Sequence, residues 1–108
     1  MFDNIWKKLN RSMNSKDINY QTLKKMIKKD RSIYLIDVRT KQEYDEGHLP
    51  GAINMCLYNI VDEIKRIDKN SKIILYCTSG TRSKTARDKL EKMGYENVYN
   101  LEDGIEKN

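Results

Sequence analysis

The sequence predicts one α/β domain in which a mainly parallel central β-sheet is flanked by helices on both faces. Short apolar runs rich in β-branched residues alternate with stretches whose apolar residues recur at helical spacing. Two of these runs, residues 33–38 and 73–76, are almost continuously apolar, as expected for strands buried on both faces. A length of 108 residues is enough for one domain with a modest core.

An amphipathic segment and a linker occupy residues 1–16, and the predicted domain occupies residues 17–108. Basic residues separate four apolar residues that would share one helical face, which are Phe2, Ile5, Trp6 and Leu9. Such a segment could touch a membrane surface or a partner protein, but ten residues bind a membrane weakly. Packing on its own domain, or a frayed end, is therefore the favoured interpretation.

The first part of the domain alternates between strand and helix patterns. Residues 17–20 predict a short edge strand or, through Asn19, the cap of a helix. That helix has an apolar face formed by Leu23, Met26 and Ile27. The strand at 33–38 follows, and Thr40 and Glu43 then have the spacing of a capping box, which predicts a short helix.

The alternation continues to the end of the chain. Glycine and proline at 47–51 predict a turn, and residues 52–54 predict a strand. A helical stripe follows, formed by Ile60, Val61, Ile64 and Ile67. After the strand at 73–76, a second stripe predicts a helix from Arg82 to the stop signal Gly94, with Ala86, Leu90 and Met93 on its apolar face. Residues 97–100 suggest the last strand.

The chemistry of the chain is predicted to centre on Cys77, which ends the strand at 73–76. Small residues separate this cysteine from the next helix, and successive N–H groups in such a loop can form an anion-binding nest. The positive end of the helix and the Arg82 guanidinium also favour a thiolate, so we expect a lowered pKa for Cys77. A strand-end cysteine alone is usually inert, but this combination favours a nucleophile.

Three separated segments resemble the rhodanese family of sulfurtransferases over roughly residues 17–105. The loop from Cys77 to Ser83 is similar to the family's active-site loop, and residues 35–39 resemble its strand that ends in Asp-Val-Arg. Residues 43–52 resemble its Gly-His-Ile-Pro-Gly-Ala segment. The resemblance weakens at the C-terminus, where Asp103 stands at a position that is commonly glycine.

The resemblance implies a rhodanese-like fold and a thiosulfate sulfurtransferase without a cofactor. A thiolate would take sulfane sulfur from thiosulfate or another persulfide donor and pass it, as a Cys77 persulfide, to a thiol or protein acceptor. Cys77 and Arg82 are the predicted catalytic residues. The predicted substrate-binding residues are Thr78, Ser79, Gly80, Thr81 and Ser83.

The length of the loop separates this chemistry from that of similar phosphate-binding loops. Four residues lie between Cys77 and Arg82, whereas the loops of protein tyrosine phosphatases and related arsenate reductases, which resemble this one, carry five. A shorter loop brings its N–H groups closer to the sulfur and leaves less room for a tetrahedral oxyanion. A phosphatase also needs a general acid, and no clear candidate is present.

Four other polar residues receive structural interpretations. We expect Asp37 to accept hydrogen bonds from loop N–H groups and Arg39 to pair with a carboxylate such as Glu43. His48 is expected to be a structural, hydrogen-bonding histidine. Cys56 is expected to be a small buried side chain, although it could instead form a disulfide with Cys77.

Composition limits the partners and the location of the protein. The net charge of +5 could attract small anions, but no nucleic-acid motif accompanies it, and we read the basic residues as a solvated helix face. Two cysteines and one histidine without ligand spacing do not predict a metal site. No apolar run is long enough to span a membrane, and no secretory signal is recognisable, so we expect a cytoplasmic protein.

A second function from a different class fits the same loop. The domain could be a sulfur carrier or redox-signalling module that acts with a protein partner and turns over little thiosulfate. The intact Cys77 argues against an inactive binding module. A phosphatase or arsenate reductase is a weaker alternative because of the loop length.

Overall fold

The computed structural model describes residues 16–106, so the amphipathic segment predicted at the N-terminus lies outside it. Its sheet has five parallel strands in the order β1-β5-β4-β2-β3. The strands are β1 Asp17–Ile18, β2 Tyr34–Asp37, β3 Ile53–Asn54, β4 Ile73–Tyr76 and β5 Val98–Leu101. The predicted α/β class with a parallel central sheet is confirmed.

Four α-helices connect these strands. They are α1 Tyr20–Lys29, α2 Lys41–Glu46, α3 Ile60–Glu63 and α4 Thr81–Lys92. Both predicted caps are present: the Asn19 side chain accepts from the Thr22 N–H at 2.8 Å, and Thr40 and Glu43 form the reciprocal capping box of α2. The two interpretations of residues 17–20 are therefore both correct, because β1 ends just before the cap of α1.

The helical stripe at 60–67 forms less helix than its spacing predicts. α3 ends at Glu63 and continues as a single 3₁₀ turn, Ile64–Arg66, after which Ile67 is extended but still buried. The Tyr95 hydroxyl lies 2.8 Å from the carbonyl oxygens of Ile64 and Ile67 and occupies acceptors that a longer helix would use. Apolar spacing fixes which side chains are buried and leaves the backbone hydrogen-bonding pattern open.

The sheet separates two apolar clusters because successive side chains of a strand point to opposite faces. Ile73 and Leu75 of β4 pack with α3 and α4 on one face, whereas Ile74 and Tyr76 pack with residues of α1 and α2 on the other. All four of these side chains are fully buried. Helices therefore cover both faces of the sheet, as predicted.

The topology brings the ends of β2 and β4 together. β4 lies at the centre of the sheet between β5 and β2, and the strand order changes direction between β4 and β2. In open parallel sheets, ligands bind at the carboxyl ends of the strands at such a point. Cys77 directly follows β4 and lies at this position. Within residues 16–106, no helix has the length and apolar character needed to cross a membrane.

Candidate active site

Cys77 is held at the base of the loop that leads from β4 into α4. Its side chain is fully buried, and its Sγ accepts hydrogen bonds from the Gly80 N–H at 3.1 Å and the Ser83 N–H at 3.4 Å. The Ser83 hydroxyl oxygen also lies 3.4 Å from the sulfur. The loop thus turns its amides towards the sulfur, as the small residues predict.

These contacts change the acidity of the thiol. Burial raises the pKa of Cys77, but hydrogen bonds from the Ser83 side chain and from the Ser83, Gly80 and Ser79 amides together outweigh it. The pKa of Cys77 therefore lies below its usual value, in the direction that a reactive thiolate requires.

Gly80 allows the loop to fold tightly against the end of β5. Its φ is +96°, in a region that residues with a Cβ rarely adopt, and an added Cβ would lie 2.0 Å from the Glu102 carbonyl oxygen. The close approach places the Gly80 N–H against the sulfur and starts α4 at the next residue. Glycine is required here for both its conformation and its size.

Arg82 lies beside the loop and forms a bidentate ion pair with Glu43. Its Nη1 and Nη2 donate to Oε1 and Oε2 of Glu43 at 2.7 and 2.9 Å. Hydrogen bonding to Arg82 lowers the pKa of Glu43 to about 2, and the same pair raises the pKa of Arg82. Arg39 does pair with a carboxylate, as predicted, but its partner is Asp37. The choice of Glu43 is wrong, because Glu43 pairs with Arg82 of α4.

The other predicted loop residues lie either beside Arg82 or at the exposed rim of the loop. The Thr78 hydroxyl lies 3.4 Å from Glu43 Oε2 and 3.4 Å from Arg82 Nη2, so it is part of the Arg82 contact. Ser79 and Thr81 are exposed at the outer rim, where the Ser79 hydroxyl donates to Thr81 at 3.3 Å. Every residue from Cys77 to Ser83 thus belongs to one continuous structure around the sulfur.

The family model described as "Rhodanese-like domain" matches residues 19–107. This chain belongs to the rhodanese family. The match covers most of the chain and includes the loop, α2 and the central strands described above.

Among solved structures, the rhodanese-like domain protein from Staphylococcus aureus is similar to this chain with a TM-score of 0.76 and 28% identity. The match covers 82% of this chain and 86% of that protein. The fold is therefore shared over almost its whole length.

Curated relatives are named as sulfurtransferases or as a sulfur carrier. "Putative sulfurtransferase YtwF" of Bacillus subtilis is 34% identical over 93 residues, which cover 86% of this chain and 89% of YtwF. "Thiosulfate sulfurtransferase GlpE" of Coxiella burnetii is 29% identical, with 84% of each chain covered. "Putative sulfur carrier protein YrkF" of Bacillus subtilis is 29% identical over 82% of this chain.

Some relatives are considerably longer than this chain. The match covers 48% of YrkF and 28% of a "tRNA uridine(34) hydroxylase" of Buchnera aphidicola, which is 35% identical over 74% of this chain. The rhodanese domain thus corresponds to the greater part of some relatives and to a fraction of others.

Two residues at the end of β2 support the loop that follows the strand. Asp37 accepts from the Arg39 N–H at 2.9 Å, which agrees with its predicted role. Its carboxylate also pairs with the Arg39 guanidinium at 2.7 Å, and Arg39 donates to the Gly47 carbonyl at 2.6 Å. The Arg39 side chain folds back on the end of its own strand. It therefore stabilises the turn after α2 and makes no ion pair with Glu43.

His48 and Cys56 lie away from the sulfur contacts described above. The His48 ring stacks on Tyr44 at 3.7 Å between centroids, and its Nδ1 lies 2.8 Å from the Tyr44 carbonyl oxygen, as expected for a structural histidine. Cys56 is a free, partly exposed cysteine beside a surface cavity of about 490 Å³, so the prediction of burial is wrong. It follows the short strand β3, where the chain leaves the edge of the sheet.

Three contributions to the site were missed from the sequence. Glu43 was identified as a helix cap and as a partner for Arg39, whereas its carboxylate serves both the cap and Arg82. Asn100 was placed in a strand, and the available signal was an amide within an otherwise apolar run. Gly104 touches the loop so closely that an added Cβ would lie 2.2 Å from the Thr78 carbonyl oxygen.

Proposed function

We propose that this rhodanese domain is a sulfurtransferase that moves sulfane sulfur from a small anionic donor such as thiosulfate to a thiol or protein acceptor. The observation that carries the proposal is the sulfur of Cys77 surrounded by the amides of Gly80 and Ser83, with its pKa lowered. The similarity to relatives named sulfurtransferase, one of them a thiosulfate sulfurtransferase, supports the same reaction.

The reaction has two half-reactions and needs no cofactor. The Cys77 thiolate attacks the outer sulfur of thiosulfate, a new S–S bond forms, and sulfite leaves with the electron pair of the broken bond. An acceptor thiolate then attacks the outer sulfur of the persulfide and releases the Cys77 thiolate. Sulfite is a stable anion and leaves without a general acid, which fits a site without an obvious proton donor.

The loop provides the electrostatic stabilisation in this proposal. Its N–H groups and the N-terminus of α4 face the sulfur and favour negative charge there. Arg82, at the side of the loop, is the proposed contact for the anionic donor. The four residues between Cys77 and Arg82 leave room for one added sulfur rather than for a tetrahedral phosphate.

A sulfur carrier that acts with a protein partner is the second candidate. The similarity to YrkF, which is named as a sulfur carrier protein, favours it. Both candidates form a Cys77 persulfide and differ in how fast the persulfide turns over with small donors and acceptors. Either role requires a reduced thiol, so we place the protein in the cytoplasm.

Mass spectrometry after exposure to thiosulfate tests the proposal directly. We expect a gain of one sulfur atom in the wild type and in Cys56→Ser, and none in Cys77→Ser. The Cys56→Ser variant is the matched control because it removes the other thiol of the chain. Steady-state release of sulfite with a thiol acceptor then separates the enzyme from the carrier, which would load sulfur but turn over slowly.

Two outcomes would contradict the proposal. Loss of sulfur loading in folded Cys56→Ser would show that Cys77 alone is not sufficient. Rapid hydrolysis of an aryl phosphate without any sulfur loading would assign the loop to phosphate chemistry, against the loop-size argument.

A further inference from the structure

A row of polar side chains connects Cys77 with the edge of the sheet beneath α4. The Ser83 hydroxyl lies 3.4 Å from the sulfur and donates to Oδ1 of Asn100. Nδ2 of Asn100 donates to Asp17 of the edge strand β1 at 3.2 Å, and Arg87 of α4 donates to the same carboxylate oxygen at 2.8 Å. Ser83 and Asn100 are buried, at 0% and 2% exposure.

The directions of these hydrogen bonds follow from counting donors. Asp17 and its partner Arg87 fix the Asn100 amide, because a carboxylate can only accept and therefore faces Nδ2. The Asn100 oxygen must then face Ser83. The serine hydroxyl has one proton, and three acceptors lie within its reach, which are Asn100 Oδ1, the Gly80 carbonyl and the Cys77 sulfur.

We propose that Asn100 is a positioning residue for the nucleophile. Its side-chain oxygen competes with the Cys77 thiolate for the single proton of the Ser83 hydroxyl. This inference deepens the proposed function, since it concerns the same sulfur. Asn100 acts only through Ser83.

The competition has a different outcome in each state of the sulfur. A neutral thiol donates its S–H to the Ser83 oxygen, and Ser83 donates to Asn100. After ionisation, the Ser83 proton turns to the anionic sulfur, and the Asn100 oxygen loses its donor. In the persulfide, the inner sulfur is uncharged and a weak acceptor, so the Ser83 proton returns to Asn100.

The consequence is a thiolate that is less stabilised than the loop alone would make it. The loop amides lower the pKa of Cys77, and the Asn100 oxygen opposes part of the Ser83 contribution. A thiolate with a very low pKa is a weaker nucleophile, because nucleophilicity falls with basicity. Asn100 thus keeps the Cys77 thiolate a stronger nucleophile than the loop alone would leave it.

Three ion pairs lie around the site, which are Asp17 with Arg87, Asp37 with Arg39 and Glu43 with Arg82. Further charged residues line a cavity beside Asn100, which are Lys84, Asp88 and Glu102. A rearranged charge would shift the Cys77 titration with or without the Ser83 hydroxyl. A shift that requires this hydroxyl therefore reports the proton competition.

A double-mutant cycle tests the proposal in a Cys56→Ser background, in which Cys77 is the only thiol. The rate of alkylation by iodoacetamide is measured against pH for the parent, Asn100→Leu, Ser83→Ala and the double variant. We expect Asn100→Leu to lower the pKa of Cys77 and to raise the rate several-fold on the acidic side of the titration. Ser83→Ala should raise the pKa, and adding Asn100→Leu to it should cause no further change.

The proposal is overturned if Asn100→Leu shifts the titration equally with and without the Ser83 hydroxyl, or if it leaves the parent titration unchanged. Circular dichroism and thermal unfolding establish that each variant is folded. Asn100→Ala provides the same comparison without the added bulk of leucine. Alkylation requires no sulfur donor, so failure to load sulfur would contradict the proposed function and leave this result intact.

Discussion

Arg82 shows how a single contact changes the interpretation of a side chain. The sequence predicts a free cation beside the sulfur. In the structure, Nη1 and Nη2 of the guanidinium both donate to the Glu43 carboxylate. The pair is about one-third exposed on each side chain, so solvent weakens the attraction. In the proposed reaction, the anionic donor would therefore share Arg82 with a carboxylate.

Arg82→Ala is expected to reduce thiosulfate turnover by about 10²–10³-fold, by analogy with loss of one oxyanion donor. The variant loses the proposed contact between Arg82 and the anionic sulfur donor. It also leaves the Glu43 carboxylate unpaired near that anion. Arg82→Ala/Glu43→Gln separates these effects, because glutamine keeps the cap of α2 without the charge. We expect the double variant to recover part of the lost kcat/KM, as measured by sulfite release.

Full recovery in the double variant would show that Arg82 serves only to neutralise Glu43. Glu46→Gln on the same helix is the matched control. Glu46 is exposed and contacts Gln42 at 3.4 Å, so its replacement should leave turnover unchanged.

The loop from Cys77 to Thr81 is held between two secondary-structure elements and the last turn of the described chain. The Ile105 N–H donates to the Cys77 carbonyl at 3.0 Å, and the Glu106 N–H donates to the Thr78 carbonyl at 2.9 Å. Gly80 also lies against the Glu102 carbonyl, at the start of the same turn. The turn that contains Asp103 thus packs against the loop through backbone contacts.

Gly80→Ala is expected to destabilise the domain by about 2–5 kcal/mol. About 1–2 kcal/mol arises from the positive φ, and about 1–3 kcal/mol from the clash with the Glu102 carbonyl. Gly51→Ala is the matched control, because Gly51 also has a positive φ, +81°, but an added Cβ there would meet nothing within 4 Å. Urea unfolding should therefore show only the smaller loss for Gly51→Ala, and equal losses would argue against the contact.

The charge of the whole molecule adds a longer-range effect to these local contacts. The chain carries 21 basic and 16 acidic side chains, which give a net charge of +5. A positive field raises the local concentration of small anions and is screened by salt. Because this effect does not depend on a particular contact, it can be measured separately from the chemistry of the loop.

Anionic iodoacetate and neutral iodoacetamide provide matched probes of this field in Cys56→Ser. The iodoacetate rate divided by the iodoacetamide rate at Cys77 is expected to fall several-fold with added salt. Over this range the Debye length shortens from about 30 Å at 0.01 M salt to about 3 Å at 1 M. The iodoacetamide rate alone should change little. A ratio that is independent of salt would mean that the net positive charge produces no significant electrostatic potential at Cys77.

Local patterns were sufficient to predict much of the fold and the position of the candidate nucleophile. The apolar runs identify β2 and β4, Thr40 and Glu43 identify the start of α2, and Cys77 was located at the strand end that leads into α4. These features depend on residues close together in the chain. Their geometry is therefore set by backbone preferences and side-chain spacing that the sequence displays directly.

The partners of the polar side chains were decided by the tertiary structure. Glu43 meets Arg82 from 39 positions away, and Asn100 meets Ser83 from 17 positions away. Cys56 lies beside a surface cavity because β3 is at the edge of the sheet. Such contacts exist only after the parallel strands have aligned their carboxyl ends, and a strand order that differs from the sequence order leaves no local pattern to reveal them.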